Sequence, residues 1–112
     1  MDIKVEILIP LFYNPEDSTP DGKKKIEGEK YSQTFDQIAE KFPDYTVDNS
    51  PLLGNWVKPD TKKKVIDENM ACWVICEESE ENVRFFKELR ETLKQRFIQD
   101  DILIYHIQVF RY

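Results

Sequence analysis

The chain has 112 residues, of which 40% are hydrophobic and 34% charged, with a formal net charge of −6. That length allows one domain, burying roughly 65% of its unfolded surface, and excludes a second core. The composition excludes disorder throughout, the acidic balance disfavours nucleic-acid binding by broad phosphate neutralisation, and no apolar run approaches the ~20 residues of a bilayer span.

The N-terminal stretch "MDIKVEILIPLF" alternates polar and apolar residues and has no basic segment before a uniform apolar one. It reads as an uncleaved strand of a cytoplasmic protein. Val5, Ile7, Ile9 and Leu11 would face the core, and Lys4, Glu6, Leu8 and Pro10 the other side. A Pro- and Gly-containing charged connection follows at about residues 13–28, long enough to be functional or disordered. Tyr31, Phe35, Ile38 and Phe42 then fall at helical spacing ahead of Pro43, which predicts a helix from about Glu29 to Phe42. In "YTVDNSPLLGNWVK", Ser50, Pro51 and Gly54 interrupt strand-forming residues; this implies an irregular edge strand, with Gly54 suggesting a bulge that re-aims Trp56. The turn "PDTKKK" leads into the strand "KVIDENMACWVICEE", completing a hairpin.

Cys72 and Cys76 are the only cysteines. Residues i and i+4 share one side of a strand but stand ~13 Å apart, too far for a disulfide, so buried free thiols are expected. Ser79 is a suitable N-cap, with Glu80 and Glu81 in the first turn where the helix dipole favours negative charge. Val83, Phe86, Leu89, Leu93 and Phe97 form the stripe of a second helix. The last strand, "DDILIYHIQVFRY", divides into Leu103, Tyr105, Ile107 and Val109 on one face, and Ile102, Ile104, His106, Gln108 and Phe110 on the other.

This order of elements predicts a single ferredoxin-like βαββαβ domain over residues 1–112: an α+β sandwich with a four-stranded antiparallel sheet and two helices on one face. Right-handed crossovers give the strand order 4-1-3-2. Three connections then share one end of the sheet and gather Lys23, Lys24 and Lys25 with Lys58, Lys62, Lys63 and Lys64, with Lys94 and Arg96 nearby. Such a rim, with Trp56 beside it, is a candidate site for a small anionic ligand or an acidic protein partner, although solvated loop lysines account for it as well. No phosphate-cradling Gly-rich motif accompanies these lysines.

If Val5, Ile7 and Ile9 lie under the helices, the open sheet face would carry Leu8, Pro10, Ile104, His106 and Phe110. It would be joined by Trp73 or by the Cys72 and Val74 pair, depending on register. A face so apolar is expected to be covered, most simply in a homodimer, with Leu8, Ile104, His106 and Phe110 at the seam. A small-molecule cleft is the alternative. His106 is the only histidine, which leaves no metal site expected without carboxylate help and no cofactor implied. Glu6 would neighbour His106 and could orient it as a general base, whereas a hydrogen-bonded histidine at a dimer seam is the plainer reading.

"ILIPLF" and "MACWVIC" occupy the places of the two signature strands of RNA-recognition domains, but the third strand lacks the Gly and paired aromatics that stack bases. Acylphosphatases need an arginine-bearing Gly-rich first loop, and tautomerases an N-terminal Pro; neither is present. Over most of its length, through "LIPLFYN", Thr46, Val47, Gly54 and Trp56, the chain resembles a family of small single-domain ferredoxin-like proteins of unknown function. That resemblance implies the fold and no activity.

Two functional expectations follow. The first is a cytoplasmic homodimeric binding or interaction module. The second, by analogy of fold with dimeric α/β-barrel proteins, is a cofactor-independent enzyme with His106 as base, Glu6 as its orienter, and Trp56, Trp73 or Tyr13 lining a pocket.

Overall fold

The computed structural model describes residues 1–13, 24–57, 59–62 and 64–112. Its elements are β1 (Asp2–Pro10), α1 (Gly28–Lys41), β2 (Thr46–Val57), β3 (Lys64–Glu77), α2 (Glu80–Arg96) and β4 (Ile104–Gln108). All strand pairings are antiparallel, in the order β2-β3-β1-β4, and the fold is the ferredoxin-like α+β sandwich expected.

Alternation along β1 sets the core. Ile3, Val5, Ile7 and Ile9 are buried, and the same face continues into Cys72, Val74 and Cys76 of β3. Both helices pack there, α1 through Ile38 and α2 through Phe86, Leu89 and Leu93. The aromatic stripe of α1 works as a clamp: Tyr31 packs on Phe97 at 5.5 Å between ring centroids, Phe35 stacks on Tyr45 at 5.7 Å, and Phe42 meets both Phe85 and Phe86 at 5.4 Å. Tyr31 also donates its hydroxyl to the Pro10 carbonyl at 2.7 Å, fastening the helix to the end of β1. Pro10 shares the open side of β1 with Leu8, as expected, but is covered there, while Leu11 is half-buried and donates its N–H to the Glu68 carbonyl at 2.9 Å.

Most of the first connection lies outside the described residues, but its two ends meet. Phe12 bridges Lys25, and the Tyr13 N–H donates to the Lys24 carbonyl at 2.9 Å. Ile26 is drawn into the core behind this bridge.

β2 is the edge strand expected, but its irregularity is displaced. The register shift falls between Asp48 and Leu52, where Pro51 has no N–H to give and Asp48 accepts the Ser50 N–H at 2.9 Å. Gly54 pairs regularly with Asp67, so it makes no bulge.

The larger correction concerns β4. Val5 pairs with His106 and Ile7 with Ile104, while Glu6 pairs with Tyr105 and Lys4 with Ile107. Directly opposed residues share a face, so Ile104 and His106 lie on the helix side. Tyr105 and Ile107 take the open side instead, and Phe110 lies past the strand end, strongly exposed.

α2 begins as expected, with the Ser79 hydroxyl accepting the Asn82 N–H at 3.1 Å. At its other end the Gln99 N–H reaches the Lys94 carbonyl at 2.9 Å and the Ile98 N–H reaches Gln95 at 3.3 Å, a left-handed helix stop. Ile98 occupies the left-handed position with φ 53° although its β-branched side chain is 66% exposed and packs little. Ile98→Gly is therefore expected to stabilise the fold by about 1 kcal/mol, read as a raised urea midpoint at constant slope.

Candidate functional site

At the end of the open sheet face nearest the β2–β3 turn lies a cleft of about 330 Å³. Leu8 and Pro10 of β1, with Ile102 and Leu103 from the α2–β4 connection, supply its apolar surface. Asn55, Asp67, Asn69, Gln99, Asp100 and Asp101 supply the polar groups, and Gly54 stands at its β2 side. The α2–β4 connection is drawn over the sheet end because the Leu8 N–H donates to the Leu103 carbonyl at 3.0 Å and Ile102 is buried. Asp101 is already engaged, accepting the Ile102 N–H at 2.9 Å and the Arg90 guanidinium.

Among the described residues, three carboxylates and no cation line this cleft, so it suits a ligand rich in hydrogen-bond donors or positive charge. The anionic ligand expected at a lysine rim does not match it. Of that rim, Lys23, Lys58 and Lys63 lie outside the described residues, and for Lys64 only the backbone is placed, paired with Val57. Lys24 stands over the Tyr13 ring at 5.6 Å, and Lys25 and Lys62 are exposed, Lys62 at a left-handed φ of 59°. Lys94 pairs with Glu91 at 3.6 Å, and Arg96 is spent on Thr34 and Gln37 of α1. Trp56 pairs with Val65 along the hairpin backbone, and its side chain lies outside what is described.

The register separates Glu6 from His106. Glu6 is on the open face, where it accepts the Tyr105 hydroxyl at 2.7 Å and thereby raises the Tyr105 pKa. His106 is on the helix face, so the base-and-orienter pair does not form. Trp73 does lie on the open face, half-buried, with the Lys4 ammonium 4.4 Å from its ring centroid, a cation–π contact. Leu8 joins it, and with Ile75, Leu103, Tyr105 and Ile107 makes the apolar part of that surface. Tyr105 and Ile107 escaped sequence reasoning because β4 is apolar on both sides.

Both cysteines are free and buried on the helix face. Burial pushes the Cys72 thiol up to about 12, and burial, with the Asp2 charge adding to it, raises Cys76. Neither is poised as a nucleophile. In the folded protein at mildly alkaline pH, both are expected to resist iodoacetamide, and mass spectrometry should find two adducts only after urea unfolding. Among the described residues no group of three His, Cys, Asp or Glu side chains is placed to hold a metal ion, and no helix there is long and apolar enough to cross a membrane.

Among solved structures, the chain is similar to the divalent cation tolerance protein Cut A1 of Thermus thermophilus, with a TM-score of 0.60, 13% identity, and coverage of 100% of this chain and 87% of that one. The periplasmic divalent cation tolerance protein CutA of Archaeoglobus fulgidus matches with a TM-score of 0.60 and 15% identity, over the same shares of the two chains. A phage SAM lyase in complex with S-methyl-5′-thioadenosine also scores 0.60, at 15% identity, over 99% of this chain and 92% of that one. The likeness is one of fold. No protein-family model matches the sequence, and no curated protein does.

Proposed function

We propose that the protein is a homodimeric cytoplasmic binding module. Two copies dock through their open sheet faces, and the cleft at the Leu8 and Pro10 end of that face takes a small, donor-rich ligand. The observation that carries this is the uncovered apolar surface: Leu103, Ile107, Ile75 and Tyr105 are 54%, 52%, 42% and 40% exposed on one side of one sheet. A contiguous patch of this kind marks an interface, and a second copy is its simplest occupant.

Lys4 and Glu6 alternate on the same face of β1, so a twofold axis across that strand can set each against the other's partner without leaving like charges opposed. The free thiols favour a reducing compartment and so support the cytoplasm. That a fold neighbour holds S-methyl-5′-thioadenosine supports the capacity of this scaffold for a small ligand. Kinship with the small single-domain family of unknown function rests on the "LIPLFYN" stretch with Thr46, Val47, Gly54 and Trp56.

Light scattering at micromolar concentration tests the dimer. Twice the chain mass is expected, and the chain mass alone at every concentration would remove the premise.

A further inference from the structure

A second recess lies on the other side of the sheet, between α2 and the edge strand β4. Because β4 is the last strand, α2 does not cover it fully: Ile104 is half-buried, and the strand is exposed from Tyr105 onward. The recess that results measures about 180 Å³. Its floor is Ile3, Val5 and Phe86, all nearly or fully buried, and its rim carries Lys87, Arg90 and His106.

Among the described residues no carboxylate lines this recess, in a chain whose acidic residues outnumber its basic ones 22 to 16. The three rim groups are not equivalent. Arg90 is committed, with Nε donating to the Ile102 carbonyl at 3.1 Å and the other nitrogens bound to Glu91 and Asp101. Lys87, by contrast, forms no ion pair among the described residues and stands exposed at the mouth. His106 is exposed beside it, with two ring nitrogens and no hydrogen bond to another described residue.

We infer that this recess binds a small aromatic carboxylate, its ring against Ile3, Val5 and Phe86 and its carboxylate held by Lys87 and His106. The volume is decisive for the size of the ligand, since a cavity of roughly 150 Å³ lined by aliphatic and aromatic side chains holds a benzene ring. The apolar floor demands a ring or short branched chain, and a rim with one unpaired cation and no acid demands a single negative charge. The site belongs to one copy and opens on the helix side of β4, sharing Tyr105 with the proposed dimer seam.

The test is a titration of the isotope-labelled full chain with benzoate, followed by backbone amide NMR. Benzoate into the millimolar range should give saturable shifts confined to residues 3–5, 83–90 and 104–106, whereas benzylamine, with the same ring and opposite charge, should not. Lys87→Glu should weaken benzoate binding by about tenfold or more, the loss of one charge-assisted contact, while Lys94→Glu, already paired elsewhere, should leave it unchanged. Amide spectra of both variants verify that the fold is intact. Absent or unsaturable benzoate shifts, shifts outside the recess, equal binding of benzylamine, or indifference to Lys87→Glu would overturn the assignment.

Discussion

Phe97→Ala is expected to cost about 3–5 kcal/mol of stability, measured as a lowered urea midpoint at unchanged slope. Phe97 is fully buried at the C-terminal cap of α2, where its ring meets Tyr31 of α1. The position joins both helices to the sheet. Its backbone N–H also closes the last helical turn onto Leu93 at 2.9 Å, so truncation leaves the cap bonding intact and removes only the ring. A cavity there cannot collapse easily, because Leu93 and Ile38 beside it in the core are themselves fully buried in packed elements. A change below about 1 kcal/mol would mean that the helices are not clamped at this point.

Arg96→Met is expected to cost about 2 kcal/mol, the second largest effect. The guanidinium donates to the Thr34 hydroxyl at 2.8 Å and to the Gln37 side-chain oxygen at 3.0 Å, bridging the last turn of α2 to the middle of α1. Burial lowers the Arg96 pKa, a sign that the charge is partly removed from water. Thr34 is the buried polar residue of this helix pair; it also donates its hydroxyl to the Lys30 carbonyl at 2.8 Å. Methionine keeps the length and apolar stem of the side chain but leaves the Thr34 oxygen without its donor. In a double-mutant cycle, Thr34→Val combined with Arg96→Met should therefore cost less than the two changes separately. Strict additivity would show that the bridge contributes nothing. Arg96→Lys should recover only part of the loss, since one ammonium cannot reproduce two parallel donors.

The β1 alternation makes much of this architecture legible from the residues alone. Ile3, Val5, Ile7 and Ile9 repeat at the strand period, Ser79 caps α2, and Pro43 follows α1 closely. These are local signals, and they correspond to elements ending within about two residues of where such signals place them. Strand order follows from handedness alone.

The face of β4 is not legible in the same way, and the reason is physical. Alternation identifies an inner side only when the two sides differ in polarity, and here Leu103, Tyr105 and Ile107 oppose Ile102 and Ile104. Only pairing with β1, which sets Ile7 against Ile104, decides which row faces the helices. A single wrong parity carries His106 to the open face and gives it Glu6 as a neighbour.

In β2 two breakers compete. Pro51 wins because a missing N–H disturbs a ladder, whereas Gly54 with an ordinary backbone does not; a Cβ added there would meet only the Asn69 amide, at 3.9 Å. The α2–β4 recess is invisible in the sequence for a different reason. Lys87 and Arg90 look like any solvated helix face until the edge strand is placed beside them.

Whether the open sheet face joins two copies is decided most directly by a pair of charge insertions. Ile107→Lys puts a charge on the β4 part of that face, at a position 52% exposed, and Leu53→Lys puts one at an exposed apolar position, 67% exposed, on the other side of the sheet. Sedimentation equilibrium should find the Ile107→Lys protein monomeric and the Leu53→Lys protein dimeric like the unaltered chain. A dimer that survives Ile107→Lys, or that is lost only with Leu53→Lys, would contradict docking through this face.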